Sequence, residues 1–247
     1  MRSASLAWLL ERKGMDCFLL EGGYKSFRTN LRSCFSSPFQ FLVLGGMTGT
    51  GKTEILGVLK SKGQQIINLE KIASHKGSAF GALGESTQPT NEQFENNLFV
   101  ELENVDTSRT IWIEDESKNI GRLLVPAELY QQMFQARLLL LDVPSEKRVQ
   151  RLVAEYGKYP DDLLIGCIQK ISRRLGGLDT QRAIDAVKKS DYRSVARITL
   201  RYYDKTYSYS LNKRFNDLIY PVHSNEISAE WNAEMLLDFA RKNNLLI

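Results

Sequence analysis

Residues 46–53 have the spacing G-x-x-x-x-G-K-T, which is typical of loops that bind a phosphate group. Glycines in such a loop adopt backbone conformations closed to other residues, so successive N–H groups can point at one anion. Lys52 would place its ammonium group on terminal phosphate oxygens, and Thr53 would offer its hydroxyl to Mg²⁺. We therefore predict a phosphate-binding loop made of Gly46, Met47, Thr48, Gly49, Thr50, Gly51, Lys52 and Thr53.

Three consecutive carboxylates end a hydrophobic stretch that has the composition of a buried strand. Glu114, Asp115 and Glu116 follow the apolar residues 111–113. Carboxylates at the point where a strand meets a phosphate site suit the binding of Mg²⁺ or its waters. We predict that Glu114 or Asp115 holds this metal together with Thr53, and that Asp115 is also a catalytic residue. The alternative is that the three carboxylates are solvated charges at a strand end.

A loop of small and polar residues, 73–81, follows the second predicted strand, residues 65–69. In open parallel sheets, ligands bind at the edge where the strands end. His75 and Lys76 in this loop are therefore candidates for catalytic residues that approach the transferring group. A solvated pair of loop residues explains the same pattern, and the spacing alone does not decide between the two.

Two pairs of arginines occur in the second half of the chain. Arg148 and Arg151 lie three apart on a predicted helix after a strand and an Asp-x-Pro sequence, which resembles the approach to the lid of nucleotide kinases. Arg173 and Arg174 end the next helix. We predict that these arginines bind phosphates. Residues 197–214 are basic and rich in tyrosine, which suits phosphate contacts and base stacking, but tyrosines half-buried against the sheet explain the pattern as well.

Hydrophobic strands alternate with helical segments from residue 36 to residue 247. This alternation predicts an α/β fold of the P-loop NTPase or kinase type, in which helices flank a parallel sheet. Before it, residues 1–35 offer only one helix and one short strand, at residues 17–20. These two elements cannot bury a core of their own. We place a boundary within residues 28–38, which contain serines, arginines and a proline.

The composition is that of a globular protein without a membrane partner. The 247 residues carry a formal net charge of +4, which permits a polyanionic partner without requiring one. No stretch approaches the roughly 18 apolar residues of a membrane span. Cys17, Cys34 and Cys167 are widely spaced and show no metal-binding pattern, so we predict reduced thiols in a cytoplasmic protein. The oligomeric state stays open.

Four motifs in order resemble the tRNA 2-selenouridine synthase family. They are Leu-Gly-Gly-Met-Thr-Gly-Thr-Gly-Lys-Thr at 44–53, His-Lys-Gly-Ser-Ala-Phe-Gly at 75–81, Gln-Pro at 88–89 with Gln-Phe-Glu-Asn at 93–96, and Trp-Ile-Glu-Asp-Glu-Ser at 112–117 with Ile-Gly at 120–121. The phosphate loop alone is generic, whereas the other three in this order and spacing are specific. The resemblance covers nearly the whole chain. Family members join an N-terminal rhodanese domain to a C-terminal P-loop domain.

The resemblance implies an activity on tRNA. Selenium from selenophosphate would replace the sulfur of the 2-thiouridine at the wobble position of tRNA. Geranyl diphosphate would first alkylate the same sulfur and so convert it into a better leaving group. A phosphate loop suits either phosphorus-containing substrate, so the use of ATP is left open. The four arginines would bind phosphates of a substrate or of tRNA.

The resemblance also implies a division of the chain. Residues 1–35 would be the C-terminal end of a rhodanese-like domain, and residues 36–247 the P-loop domain with a helical lid and C-terminal region. No cysteine of the chain lies in a Cys-x-x-Gly-Gly loop, where the family has its rhodanese cysteine. We therefore expect a truncated or split form of the enzyme; a split form would have a separate rhodanese-domain chain as its partner.

Two functions of other classes compete with this one. An ATP-dependent kinase acting on a small molecule or nucleotide is favoured by the arginines near the predicted lid. A non-catalytic tRNA-binding protein is favoured by the basic balance and the tyrosine-rich stretch. Phosphoryl transfer from ATP would identify the first, and salt-dependent tRNA binding without turnover would identify the second.

Overall fold

The structure is a computed structural model that describes residues 2–247, with Arg2 described in its backbone only. The chain divides into two compact units, one that ends at Ser37 and one from Pro38 to Ile247. In the described part of the chain, no helix is both long enough and apolar enough to cross a membrane.

The first unit contains two helices, α1 (Arg2–Glu11) and α2 (Gly23–Ser36). Residues 15–20 between them have no regular structure, so the strand predicted at residues 17–20 is wrong. A strand needs a neighbour that pairs its backbone groups, and the described residues of this unit contain no other strand. Most of the boundary predicted at residues 28–38 is helical, because α2 continues to Ser36.

A parallel sheet forms the centre of the second unit. Its strands and those of a small hairpin are β1 (Phe41–Gly46), β2 (Gln65–Ile67), β3 (Ile111–Glu114), β4 (Asn119–Ile120), β5 (Leu123–Leu124), β6 (Arg137–Asp142) and β7 (Ile219–His223). The sheet has the order β2-β3-β1-β6-β7, and every neighbouring pair in it is parallel. Strands β4 and β5 pair antiparallel. The predicted α/β fold with a parallel sheet flanked by helices is confirmed.

Helices connect these strands and cover the sheet. They are α3 (Lys52–Ser61), α4 (Leu69–Ala73), α5 (Asn91–Glu103), α6 (Ala127–Gln135), α7 (Ser145–Tyr156), α8 (Asp161–Lys170), α9 (Ser172–Leu175), α10 (Gly177–Lys188), α11 (Tyr192–Leu211) and α12 (Ala229–Lys242). A short 3₁₀ helix, Asn216–Leu218, precedes β7. Helix α5 begins as its sequence predicts, because the Thr90 hydroxyl accepts a hydrogen bond from the Gln93 backbone N–H at 3.1 Å.

The ends of β1 and β3 lie side by side. Every residue of β1 is buried, as expected for a central strand whose two faces are both covered. Leu44 of β1 is in register with Glu114 of β3, and the Asp115 backbone N–H donates to the Leu44 carbonyl at 2.9 Å. This register places the predicted phosphate loop, which follows β1, beside the carboxylates that follow β3.

Two hydrophobic clusters hold the elements around this edge. The larger contains sheet residues such as Leu42 and Leu139 together with Leu56 of α3 and Leu236 of α12. The smaller lies among α8, α10 and α11 and includes Phe80 from the loop after α4. That loop carries His75 and Lys76, so its position is fixed by apolar packing on a helical layer.

Candidate functional site

A cavity of about 320 Å³ lies at the edge where β1 and β3 end. Its walls are the predicted phosphate loop, part of the loop after α4, the residues that follow β3, and one side each of α7 and α11. The cavity therefore brings together segments that are far apart in the sequence. It lies at the C-terminal edge of the parallel strands, where ligands of open α/β sheets bind.

The phosphate loop has glycine where the backbone requires it. Gly49 and Gly51 have φ angles of 86° and 85°, a region that other residues rarely adopt. A Cβ atom on Gly51 would lie 2.8 Å from Cζ of Arg151, so a larger residue would also displace the Arg151 guanidinium. The Lys52 ammonium group donates to the Gly46 carbonyl at 2.8 Å and lies within the arch of the loop.

Acidic side chains surround the beginning of α3. The Thr53 hydroxyl donates to Glu70 Oε2 at 2.7 Å. Glu116 lines the same cavity, and its Oε2 would lie only 2.6 Å from a Cβ atom on Gly77. Burial and the neighbouring Glu70 raise the pKa of Glu116 well above its ordinary value. A cation or a proton would relieve the repulsion between these two carboxylates.

Glu114 is the most buried of the three consecutive carboxylates. Its side chain is 2% exposed, and its Oε1 accepts a hydrogen bond from the Glu70 backbone N–H at 2.8 Å. Its Oε2 has no hydrogen-bond partner among the described residues. Burial, reinforced by the charge of Glu70, raises the pKa of Glu114 to about 8. This carboxyl group is therefore predominantly protonated at neutral pH.

Asp115 is bound on both of its carboxylate oxygens. Arg214 contacts Oδ1 at 2.6 Å, and the Tyr207 hydroxyl donates to Oδ2 at 2.8 Å. The same hydroxyl accepts a hydrogen bond from the Gly46 backbone N–H at 3.0 Å. Asp115 thus connects α11 and the residue after it to the beginning of the phosphate loop. Asp115 also lines the cavity, and its role as a metal ligand stays a prediction.

Oxygen atoms near Thr53 are the candidate ligands for a magnesium ion. In the described part of the chain, no three His, Cys, Asp or Glu side chains are arranged as a metal-binding group. A phosphate-bound Mg²⁺ needs only one or two protein ligands, since phosphates and waters complete its coordination. Thr53 and Glu70 are in direct contact and line the cavity. These two residues fit such an ion.

The structure separates the two predicted catalytic residues of the loop after α4. Lys76 lines the cavity and forms ion pairs with Glu155 at 2.6 Å and Glu85 at 3.6 Å. His75 is 8% exposed, and a Cβ atom on Gly81 would lie 2.9 Å from its Nδ1. Among the described residues, His75 is not part of the cavity lining. Burial lowers the pKa of its imidazole, which favours the neutral ring.

Arg148 has a structural position that disagrees with the predicted role in phosphate or tRNA binding. Its buried guanidinium forms two hydrogen bonds with the Asp204 carboxylate, at 2.9 and 2.8 Å. It also donates to the carbonyls of Val143 and Thr48, both at 3.1 Å. A guanidinium saturated in this way holds α7 and α11 against the phosphate loop and has few donors left for a ligand.

The other three arginines occupy two different places. Arg151 lines the cavity, forms an ion pair with Glu54, and lies against Gly51 of the phosphate loop. Arg173 and Arg174 are exposed on α9, and in the described part of the chain neither contributes to the cavity lining. Arg174 donates to the Tyr202 hydroxyl at 3.2 Å. Arg151 can therefore contact a phosphate in the cavity, whereas the α9 arginines face solvent.

Tyrosines of α11 hold loops of the site, a role that no sequence pattern predicts. Tyr203 and Tyr207 lie four residues apart and line the cavity together. The Tyr203 hydroxyl accepts from the Ala79 backbone N–H at 3.1 Å, so each tyrosine holds a different loop. Their i, i+4 spacing indicated a shared helix face. Arg214 had no such local signal, because its partner Asp115 is 99 residues away.

A parallel sheet of this order, with a glycine-rich phosphate loop between β1 and α3, defines a P-loop domain. Residues 39–237 match the family model described as the tRNA 2-selenouridine synthase AAA domain. The chain therefore belongs to the tRNA 2-selenouridine synthase family.

Individual relatives carry the same name. The tRNA 2-selenouridine synthase of Shewanella frigidimarina is 36% identical, with 74% of this chain and 47% of the relative aligned. That of Shewanella denitrificans is 31% identical over 85% of this chain and 65% of the relative. That of a Sulfurovum species is 31% identical over 90% of this chain and 68% of the relative. The chain thus spans between about half and two thirds of these relatives' length.

Proposed function

We propose that this chain acts in the replacement of sulfur by selenium in the wobble 2-thiouridine of tRNA, as the names of its relatives suggest. The observation that carries the proposal is the cavity at the end of β1, which brings the phosphate loop together with Lys76 and Arg151. Residues of the phosphate loop, including Lys52, and Arg151 line this one cavity, where a diphosphate or selenophosphate would bind.

Geranyl diphosphate fits the first step of this reaction. The thiouridine sulfur would attack C1 of the geranyl group, and diphosphate would leave with the electron pair of the broken C–O bond. Lys52 and Arg151 would stabilise the charge that develops on the leaving diphosphate. A second cavity of about 50 Å³, lined mainly by apolar residues, shares Leu152 and Tyr156 with the phosphate cavity. An apolar group attached to the bound phosphate would find a matching surface there.

Selenophosphate would serve in the second step. Its selenium would bond to C2 of the base, and the geranylated sulfur would leave as geranyl thiol. Hydrolysis of the selenium–phosphorus bond would then release phosphate. The same loop can bind either substrate, because it recognises the phosphate group and not the remainder of the molecule.

The predicted residues receive distinct roles in this proposal. Lys76 would approach the transferring group, because its ammonium lines the cavity. Asp115 would position Tyr207 and the start of the phosphate loop. Thr53 and Glu70 would hold Mg²⁺, which would neutralise charge on the phosphate oxygens. We assign no catalytic contact to His75, which is buried behind Gly81.

We propose that a separate rhodanese-domain chain is the protein partner of the first unit. Apolar side chains of this unit are exposed, and Phe18 reaches 96%. Phe18 belongs to the segment 15–20, which has no regular structure although its composition is that of a strand. A domain with an α/β sheet would cover these side chains and pair with this segment. We place this chain, its partner and tRNA in the cytoplasm, where the thiols of Cys17, Cys34 and Cys167 stay reduced.

The proposal is tested by mass spectrometry of tRNA that carries wobble 2-thiouridine. The chain is incubated with this tRNA and geranyl diphosphate, and then with selenophosphate, with and without an added rhodanese-domain chain. We expect geranylated 2-thiouridine from the wild-type chain and none from Lys52→Ala. Unmodified 2-thiouridine in every reaction would reject the proposed activity. Transfer of the γ-phosphoryl group of labelled ATP to a small acceptor would support the kinase function instead.

A further inference from the structure

Helix α11 carries a row of cations on a face that the proposed chemistry does not use. The row, which we term the basic stripe, recurs every four residues and consists of Arg193, Arg197, Arg201 and Lys205. Residues four apart on a helix lie on neighbouring turns of one side, about 6 Å apart along the axis. The stripe therefore extends over about 18 Å and turns gradually around the helix.

The stripe is open to solvent and forms part of a groove. The side chains of Arg193, Arg197 and Arg201 are 53%, 51% and 68% exposed. Arg197 and Arg201 line an open groove of about 520 Å³, which Arg182 of α10 also lines. Cations from two helices thus converge on one elongated concave surface.

Two carboxylates, Glu146 and Asp179, form ion pairs with the stripe. Glu146 of α7 accepts two hydrogen bonds from Arg197, both at 2.9 Å, and lies 3.9 Å from Arg193. Asp179 of α10 lies 3.7 Å from Arg201. Single ion pairs exposed to solvent contribute only about 0–1 kcal/mol each, so Arg193 and Arg201 can exchange a carboxylate for another anion at little cost, whereas the bidentate pair holds Arg197 more firmly.

We propose that the basic stripe binds the sugar–phosphate backbone of tRNA, an inference that rests on the proposed function. Arginine matches this partner, because its planar guanidinium donates two parallel hydrogen bonds to a phosphate. A regular row of cations fits a regularly repeating polyanion better than it fits a single small anion.

The position of the stripe relative to the cavity supports this partner. Lys205 ends the stripe, and the next residue, Thr206, lines the phosphate cavity. Tyr207 and Ser210 of the following turn line the same cavity. A nucleic acid strand held along the stripe would therefore lead to the edge of the cavity in which the base is modified.

The stripe is tested by measuring tRNA binding of the full chain as a function of salt. The stripe variant is Arg193→Gln with Arg197→Gln and Arg201→Gln. Loss of three phosphate contacts should weaken binding roughly tenfold or more at moderate salt, and should reduce the slope of log K against log salt by about 2. The matched control removes three exposed cations of α3 and α12, as Lys60→Gln, Arg241→Gln and Lys242→Gln, and should bind nearly as wild type.

A second variant changes affinity in the opposite direction. Glu146→Gln removes the carboxylate that competes for Arg197, so we expect tighter tRNA binding at low salt. Pyrophosphate binding of the stripe variant should equal that of the wild type, which shows that the variant folds. The inference would be overturned if the stripe variant and the control lost tRNA affinity equally. It would also be overturned if Glu146→Gln did not bind tRNA more tightly than the wild type.

The test separates the inference from the proposed function. If tRNA is modified but the stripe variant binds it as well as the wild type, only the stripe is rejected. If the wild-type chain binds vesicles of phosphatidylglycerol and phosphatidylcholine but no tRNA, both the stripe and the tRNA substrate are rejected. Salt-dependent tRNA binding that the stripe variant loses supports the stripe, whatever the outcome of the modification assay.

Discussion

Asp115 and Arg214 form an ion pair of 2.6 Å between two side chains that are only 11% and 5% exposed. Arg214 also donates to the carbonyls of Met133 and Phe134, at 3.1 and 3.0 Å. The pair therefore links the end of β3, the end of α6 and the segment after α11. It fixes the wall of the phosphate cavity by contacts among residues that are nearly 100 positions apart in the sequence.

The first prediction concerns this pair. Arg214→Ala should lower the free energy of unfolding by about 3–5 kcal/mol, because it leaves a largely buried carboxylate without its cation. Urea denaturation of the full chain measures this change. Arg241→Ala is the matched control, since Arg241 pairs with Asp238 at 3.3 Å on the exposed surface of α12. The control should lose less than about 1 kcal/mol, and equal losses in both variants would contradict the structural role of Arg214.

Features that depend on residues close together in the sequence were predictable from the sequence alone. The phosphate loop was predictable because its spacing and its glycines are local requirements of anion binding. The strands of the parallel sheet were predictable because buried parallel strands contain continuous apolar runs, as at residues 41–44 and 138–141. The start of α5 at Thr90 was predictable from its capping residue.

The remaining features depend on contacts that no local pattern records. Asp115 has the residue type and position of a metal ligand, but its partners Tyr207 and Arg214 lie 92 and 99 residues away. Arg148 was predicted to bind phosphates or tRNA, but its guanidinium pairs with the carboxylate of Asp204, which lies 56 residues away. The strand predicted at residues 17–20 failed for a related reason, because apolar composition forms a strand only beside another strand.

The second prediction concerns Lys52. Lys52→Ala should weaken pyrophosphate binding roughly tenfold to a hundredfold, because it removes one charge-assisted contact to phosphate. Isothermal titration calorimetry with pyrophosphate measures the affinity. Lys62→Ala, which removes a lysine paired with Glu234 near the end of α3, should leave the affinity unchanged. Undiminished binding by Lys52→Ala would show that the loop does not bind phosphate.

The third prediction compares two glycines at the loop and in the helix that follows it. Gly51→Ala should reduce both stability and pyrophosphate affinity, because φ is 85° and the new Cβ would lie 2.8 Å from Arg151. Gly57→Ala lies within α3, and its Cβ would have nothing within 4 Å. Alanine is favoured over glycine in a helix, so Gly57→Ala should gain about 0.5–1 kcal/mol. Thermal unfolding and calorimetry test both variants, and a tolerated Gly51→Ala would refute the loop geometry.

The fourth prediction is a pH dependence of stability due to Glu114. Its pKa is about 8 in the folded protein and 4.5 in its ordinary state, so the folded protein holds a proton that the unfolded chain releases. The contribution of Glu114 to the free energy of unfolding is fully present below pH 4.5 and is lost as the pH rises through 8. Relative to Glu114→Gln, the free energy of unfolding of the wild type should therefore fall by up to about 1.4 kcal/mol per pH unit between pH 5 and 8.

Urea denaturation at several pH values provides this comparison. Glu103→Gln, at an exposed position of α5, should keep the pH profile of the wild type. Parallel profiles for the wild type and Glu114→Gln would mean that Glu114 is already ionised in the folded protein.

The fifth prediction concerns the hydroxyl of Tyr207, which joins α11 to the phosphate loop. Tyr207→Phe removes the acceptor of the Gly46 N–H and one of the donors to Asp115. Leaving such buried groups without partners costs about 1–3 kcal/mol, so stability should fall by this amount in urea denaturation. Pyrophosphate affinity should fall as well, because Gly46 is the first residue of the phosphate loop.

Tyr209→Phe is the control on the same helix. Tyr209 is 65% exposed, and phenylalanine keeps the ring that Lys213 covers at 4.4 Å. A change within about 0.5 kcal/mol is expected there, and a similarly small change in Tyr207→Phe would show that this hydroxyl does not hold the loop.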